Sequence, residues 1–323
     1  MRRFTAVSLG LALVNAAALA QSPRFVIDDD EYLERITNAS ARLLQGGRLK
    51  SVDWLRSQLP AKRHAMKLAP VSSVKLAAPD LYDRLRESTL AVGSYYKCPD
   101  CGAWHFNSSA GFVAGEGGIV CTCWHVVAGE DSEVKESYLI AADSAGQVFP
   151  VQSVLAADTE ADTCFLKIGA AGLKPLPLRA NVRPGERVYC LSHPGGFHFM
   201  FSEGVVARVT RGRLDVLDEH GQPKLEAGRS RPVLSLNVTA EFAPGSSGAP
   251  IVDEAANVVG QVASITDAGE PEAGDEQKPA SPSVPVRFCT ATEEVLRLTE
   301  PAKTSDTNPA KRKTEKPQAP GSR

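Results

Sequence analysis

A body built mainly of short strands, closed as a barrel or sandwich and preceded by a helical extension, is the fold class the sequence predicts. Three observations predict it. Short β-branched and apolar runs recur from Ser88 onward, each bounded by turn residues. The 26 glycines and 22 prolines supply those turns. The runs do not alternate with long helical patterns, which argues against a parallel βαβ sheet.

Residues 1–20 read as a signal peptide. Met1-Arg2-Arg3 is a basic start, an apolar stretch runs from Phe4 to Ala17, and Ala18-Leu19-Ala20 is a small-x-small cleavage site. The stretch is too short for a good membrane span, the alternative being an uncleaved anchor. The mature chain is therefore expected to begin near Gln21, to be soluble without a stable membrane span, and to work outside the cytoplasm, in a periplasm or secreted.

Residues 21–79 read as a helical extension and linker. Asp28-Asp29-Asp30-Glu31 makes an acidic first turn that suits the positive end of a helix dipole. Leu33, Ile36, Leu43 and Leu44 then share one face, with Ser40 between them. A second short helix spans Val52 to Leu59, and Ala61 to Pro79 is a connector. Two readings stand: a spacer packed on the body, or a propeptide or partner-binding segment.

The body covers residues 80–299. Pro79 to Arg86 is a short helix, Ser88 to Tyr96 the first strand. Further strands are expected at Gly111–Val113, Gly118–Val120, Tyr138–Ile140, Cys164–Ile168, Arg187–Leu191, Val205–Val209, Val233–Val238, Ile251–Val252 and Val258–Val262. Asp267 to Pro282 reads as a loop, and Val284 to Leu298 as a last strand followed by a short closing helix. Residues 300–323 read as a disordered basic tail, with Lys311-Arg312-Lys313 expected to be solvated and not a binding patch. With 36 basic and 38 acidic residues, the net charge of −2 carries no nucleic-acid signal.

Chemistry concentrates in three places. Gly245-Ser246-Ser247-Gly248-Ala249-Pro250 can supply a nucleophilic serine and backbone N–H groups for an oxyanion. Cys121-Thr122-Cys123-Trp124-His125-Val126-Val127 can supply the base. Asp162 opens the apolar run Thr163 to Ile168 and can orient that base, with Asp158 as the rival acid. The order His, Asp, Ser is that of chymotrypsin-like double β-barrels and not of subtilisins or α/β-hydrolases.

Those residues carry a resemblance. Ser109 to Val120, running into Thr122 and His125-Val126-Val127, resembles the G-F-(hairpin)-G-x-(apolar)-T-x-x-H-V-V signature of HtrA/DegP-like proteases of the trypsin-like superfamily. Asp162 to Ile168 is similar to their D-L-A-L-L-K-(I/V) strand. Leu191 to Gly196 and Ser202 to Val206 are similar to G-x-P-x-G … S-G-I-V, and Gly245 to Val252 to G-N-S-G-G-P-(apolar)-(apolar). The likeness covers residues 80 to 299. It implies a chymotrypsin-like double β-barrel and an exported serine endopeptidase acting on polypeptides. In it His125 is the general base, Asp162 orients it, Ser247 is the nucleophile, and the N–H groups of Gly245 and Ser247 form the oxyanion hole. No cofactor is implied. A homo-oligomer is compatible with it, since HtrA-like relatives often trimerise.

There are departures. Ala249 replaces a second glycine. Ser246 stands where trypsin has the aspartate that pairs with a new N-terminus, so activation by clipping is not implied. No PDZ module is expected after residue 299. Glu241, six positions before Ser247, is where trypsin-like enzymes place the base of the primary specificity pocket, and a carboxylate there would favour Lys or Arg. The alternatives to an active endopeptidase are an esterase and a latent or non-catalytic binding protein with the protease fold.

The seven cysteines are Cys98, Cys101, Cys121, Cys123, Cys164, Cys190 and Cys289. Cys98-Pro99-Asp100-Cys101-Gly102 looks like a zinc knuckle that His105 with Cys121 or Cys123 can complete. A disulfide framework and free thiols are the competing readings. Cys121 and Cys123, two apart, point the same way if both lie on a strand. Cys164 and Cys190 read as buried core thiols, and His105 and His193 as structural or surface residues where no metal is bound.

Overall fold

The computed structural model describes residues 25–59, 63–129, 134–212, 231–268 and 284–299. The expected signal peptide, the basic tail and most of the Asp267–Pro282 loop lie outside them. Twelve described strands close into two antiparallel six-stranded barrels, so the double-barrel architecture holds.

In the first barrel, β1 (Thr89–Lys97), β2 (Trp104–Gly115), β3 (Ile119–Thr122), β4 (Ser137–Ala142), β5 (Val148–Asp158) and β6 (Thr163–Ile168) follow the spatial order β1-β2-β3-β6-β5-β4. In the second, β7 (Arg187–Ser192), β8 (Met200–Gly212), β9 (Val233–Val238), β10 (Pro250–Val252), β11 (Val258–Ala268) and β12 (Val284–Ala291) follow β10-β11-β12-β9-β8-β7. The period-two geometry of a strand decides what each residue meets. Val120, Cys164 and Leu166 point into the first barrel with Leu90, Val92 and Leu139. Their neighbours Cys121 and Phe165 point the other way, into a second cluster with Phe112, Leu191 and Val258. Both faces of β3 and β6 are therefore buried, which is why these strands read as continuous apolar runs.

β5 was not expected. Pro150 interrupts it, and two register shifts, at Val151/Ser153 and Val154/Ala156, break the alternation that marks a strand. The strand expected at Gly111–Val113 extends back to Trp104, pairing with β1 along its length.

Short helices complete the chain: α1 (Asp29–Gln45), α2 (Val52–Arg56), α3 (Ala78–Arg86), α4 (Trp124–Ala128) and α5 (Thr292–Arg297). The side chain of Asp28 caps α1 by accepting the Glu31 N–H at 3.0 Å. The buried face of α1 is Tyr32, Ile36 and Ser40, one stripe at a spacing of four, while Leu33, Leu43 and Leu44 are half-buried. The expected stripe was thus rotated by about one position, because Tyr32 and not Leu33 reaches the body.

The extension packs on both barrels. The Asp29 carboxylate accepts from the main-chain N–H of His198 at 3.0 Å and lies 2.9 Å from its Nδ1. Tyr32 donates its hydroxyl to the Asp143 carbonyl at 3.0 Å. Further along, Gln58 accepts from Val154 N–H and Asn257 brackets Ser72. Among the described residues, no helix is long and apolar enough to cross a membrane.

Candidate active site at the seam between the barrels

His125 follows β3. Thr122, at the end of that strand, donates its hydroxyl to the Ala110 carbonyl at 2.7 Å, and the chain then turns into the single turn of α4. The Asp162 carboxylate meets His125 twice. Oδ1 accepts the main-chain N–H at 3.0 Å, and Oδ2 lies 2.7 Å from ring Nδ1. The Asp162 side chain is 7% exposed and that of His125 38%. A shielded carboxylate on Nδ1 holds that nitrogen protonated, which leaves Nε2 as the basic nitrogen.

Asp162 is placed by an unusual backbone, with φ of +46°, a left-handed conformation uncommon for a residue other than glycine. The rival Asp158 builds the turn that presents it: Asp158 Oδ1 accepts from Glu160 and Ala161 N–H at 3.0 and 3.1 Å. Its Oδ2 pairs with Arg231 at 2.5 Å. Asp158 is committed to that turn and does not contact the histidine through either of these interactions.

Gln261 is the residue that sequence reasoning missed. It is fully buried on β11, in the second barrel. Its amide donates to the Asp162 carbonyl at 3.2 Å and to Cys123 Sγ at 3.1 Å, while Cys121 Sγ donates to its Oε1 at 3.1 Å. The second barrel thus grips the acid-bearing turn of the first. A single polar residue inside Val258-Val259-Gly260-Gln261-Val262-Ala263 is the signal that could have found it, since buried amides are rarely left unbonded.

The two cysteines that touch Gln261 do point the same way, but towards the seam and away from Cys98 and Cys101. The expected use of Cys121 or Cys123 as a fourth ligand of the knuckle is corrected here: both are buried on Gln261. Burial pushes the Cys121 and Cys123 thiols well above the ordinary value, for Cys123 with the Asp162 charge adding to it. In this setting they act as neutral hydrogen-bonding thiols on Gln261. Cys164, Cys190 and Cys289 are core thiols, and burial pushes Cys190 up to about 12. All seven cysteines are free, so the disulfide framework is not the arrangement seen.

The Ser247 loop joins β9 to β10 and is locked from four sides. Pro244 accepts the Gly195 N–H at 2.8 Å. Ser246, fully buried, donates its hydroxyl to Ser192 Oγ at 3.1 Å. The Ser247 carbonyl accepts the Ala110 N–H at 2.8 Å, and the Gly248 N–H donates to the Val262 carbonyl at 2.9 Å. Two glycines are demanded. At Gly245, φ is +95° and a Cβ would stand 2.6 Å from the His193 carbonyl. At Gly248, φ is +87° and a Cβ would stand 2.3 Å from the Ala110 oxygen and 2.5 Å from Thr122 Oγ1. Gly248 therefore lies directly on the segment that leads to His125, which puts the Ser247 loop and the His125–Asp162 pair on the same seam.

Glu241 is exposed, and its carbonyl accepts from Ser202 Oγ at 2.7 Å. Water screens a carboxylate in such a position, so Glu241 is not the floor of an enclosed pocket and no basic preference follows from it. His193 is a buried structural residue: its Nδ1 accepts the Phe199 N–H at 3.0 Å, and desolvation, with neighbouring His198, pushes its imidazole down to about 3. His105 lies with Cys98 and Cys101 at the far end of β2.

Residues 109–260 match the trypsin-like peptidase domain family. Protease Do-like 1, chloroplastic, of Arabidopsis thaliana is 26% identical over 158 residues, which are 47% of this chain and 32% of that protein. Serine protease HTRA1 of Xenopus laevis is 27% identical over 156 residues, 47% of this chain and 30% of that one. The chain thus spans about a third of the length of the curated relatives it matches. It contains a trypsin-like peptidase domain whose homologues, at modest identity, include HtrA/Do-like serine proteases.

Proposed function

We propose that this trypsin-like peptidase domain hydrolyses peptide bonds through Ser247, His125 and Asp162. The observation that carries the reading is the double contact of Asp162 with His125, main chain and Nδ1 together, beside a Ser247 loop that only glycines at 245 and 248 allow. Ser247 Oγ attacks the substrate carbonyl while His125 Nε2 takes its proton. The buried Asp162 carboxylate stabilises the resulting imidazolium. The N–H groups of Gly245 and Ser247 receive the developing oxyanion. His125 then returns the proton to the leaving amine, and water, activated by the same nitrogen, releases the acyl group.

Internal bracing of the loop supports activity without clipping. Where trypsin uses a new N-terminus, Ser246 is already held by Ser192. The leader-like pattern of residues 1–20 supports work outside the cytoplasm, on polypeptide substrates.

Labelling of the purified chain with a fluorophosphonate probe tests the reading, alongside Ser247→Ala and His125→Ala. The wild type should label, and each variant should lose labelling and peptide hydrolysis by about 10³-fold or more. A folded wild type that does not label, or a Ser247→Ala variant that still does, removes this assignment in favour of a non-catalytic binding protein or a different nucleophile.

A further inference from the structure

Cys98 and Cys101 sit on the turn between β1 and β2, and His105 on β2 where it pairs with Tyr96. Their ligand atoms, two Sγ and a ring nitrogen, all lie within 4.8 Å of one another, with Cys101 Sγ 3.1 Å from His105 Nε2. The turn is built tightly around the sulfurs. Gly102 N–H donates to the Cys98 carbonyl at 3.0 Å, Cys98 N–H to the Ala103 carbonyl at 2.8 Å, and Gly102 has φ of +68°.

We propose that Cys98, Cys101 and His105 bind one zinc ion, with the fourth coordination position open to water or an added ligand. Two thiolates and an imidazole are a borderline-soft donor set suited to Zn²⁺. Binding releases the two thiol protons to solvent and leaves a site of zero net charge, two negative thiolates against the dication. Packing does not ask for sulfur at this tip, where Cys101 and His105 are exposed and Cys98 half-buried. The ion would pin the end of β2, the strand whose Ala110 N–H holds the Ser247 carbonyl. That role is structural, and it is independent of the peptidase chemistry at the seam.

Cobalt(II) titration of the full, reduced chain tests it. One equivalent should bind, with visible bands of tetrahedral cobalt and thiolate-to-cobalt charge transfer in the near ultraviolet, and Zn²⁺ should displace it. Cys98→Ser and Cys101→Ser should each remove about half or more of the charge-transfer intensity, and His105→Gln should weaken binding by about tenfold or more. The three positions lie at an exposed tip, and a retained thermal transition shows that each variant folds. Three results overturn the proposal: no charge transfer in the reduced wild type, a cobalt spectrum that survives Cys98→Ser but is lost in His125→Ala, or recovery of Cys98 and Cys101 as a disulfide after reduction and titration.

Discussion

The seam and the hairpin tip hold nearly the same chemistry in two environments. At the seam, Cys123, His125 and Asp162 place their ligand atoms within 4.8 Å of one another, and at the tip Cys98, Cys101 and His105 do the same. At the seam, burial raises the thiol and leaves Cys123 neutral. At the tip, N–H donors from Cys101 and Asp100 hold the Cys98 thiol below its ordinary value. Solvent and local hydrogen bonding, more than residue type, set the two clusters apart.

The strongest way to break the comparison is to remove the charge at the seam alone. Asp162→Asn should lower kcat by about 10⁴-fold, since an amide on Nδ1 favours the wrong tautomer. Peptide hydrolysis by the full chain checks this, and a loss under tenfold would mean that Asp162 does not orient the base.

Gly248→Ala attacks the contact that brings the two halves of the seam together. The added Cβ meets the Ala110 oxygen and Thr122 Oγ1 from a left-handed backbone, so the variant should lose about 3 kcal/mol or more, or fail to fold. Denaturant unfolding gives the number.

Histidines extend the contrast through pH. His193 is held down to about 3 in the fold by burial against about 6.5 in an unfolded chain. The unfolded state therefore takes up a proton that the folded state refuses. Stability from this group is complete above pH 6.5 and falls as the pH drops towards about 3, by up to about 1.4 kcal/mol per pH unit. His198, also lowered by burial, adds in the same direction. Urea midpoints between pH 7 and 4.5 should fall, and replacing His193 with Gln should flatten that fall.

Gln261→Ala should destabilise by about 2 kcal/mol, because Cys121 and the Asp162 carbonyl both lose a buried partner. A smaller loss in kcat should accompany it as the acid-bearing turn loosens, whereas a variant with wild-type stability and kcat would show that this bond positions nothing. The mildest test counts thiols: in metal-free native protein, Cys98 and Cys101 should react with a thiol reagent quickly and the five buried cysteines slowly. Fast reaction of all seven would mean that the seam is open.

Much of the body was legible because its signals are local. Turn glycines and β-branched runs mark the strands. The helix start at Asp28 follows from its own side chain, which caps the first turn. β5 was illegible because Pro150 and two bulges erase its period, and what holds the strand is its pairing with β4 and β6, set by distant residues. The choice between Asp158 and Asp162 needed the fold as well. Both precede the same apolar run, and the left-handed turn built by Asp158 is what presents Asp162 to His125.

The sequence by itself determined where the chain turns, which glycines its tight loop requires and which residue types are available for chemistry, since these depend on backbone sterics and on atoms within a few bonds. Only the tertiary structure decided which cysteines are buried, that Gln261 reaches across from the second barrel, and that Glu241 faces solvent. Burial and long-range hydrogen bonds arise from segments more than a hundred residues apart in the chain, as Cys121 and Gln261 are, and a local pattern carries no measure of that distance.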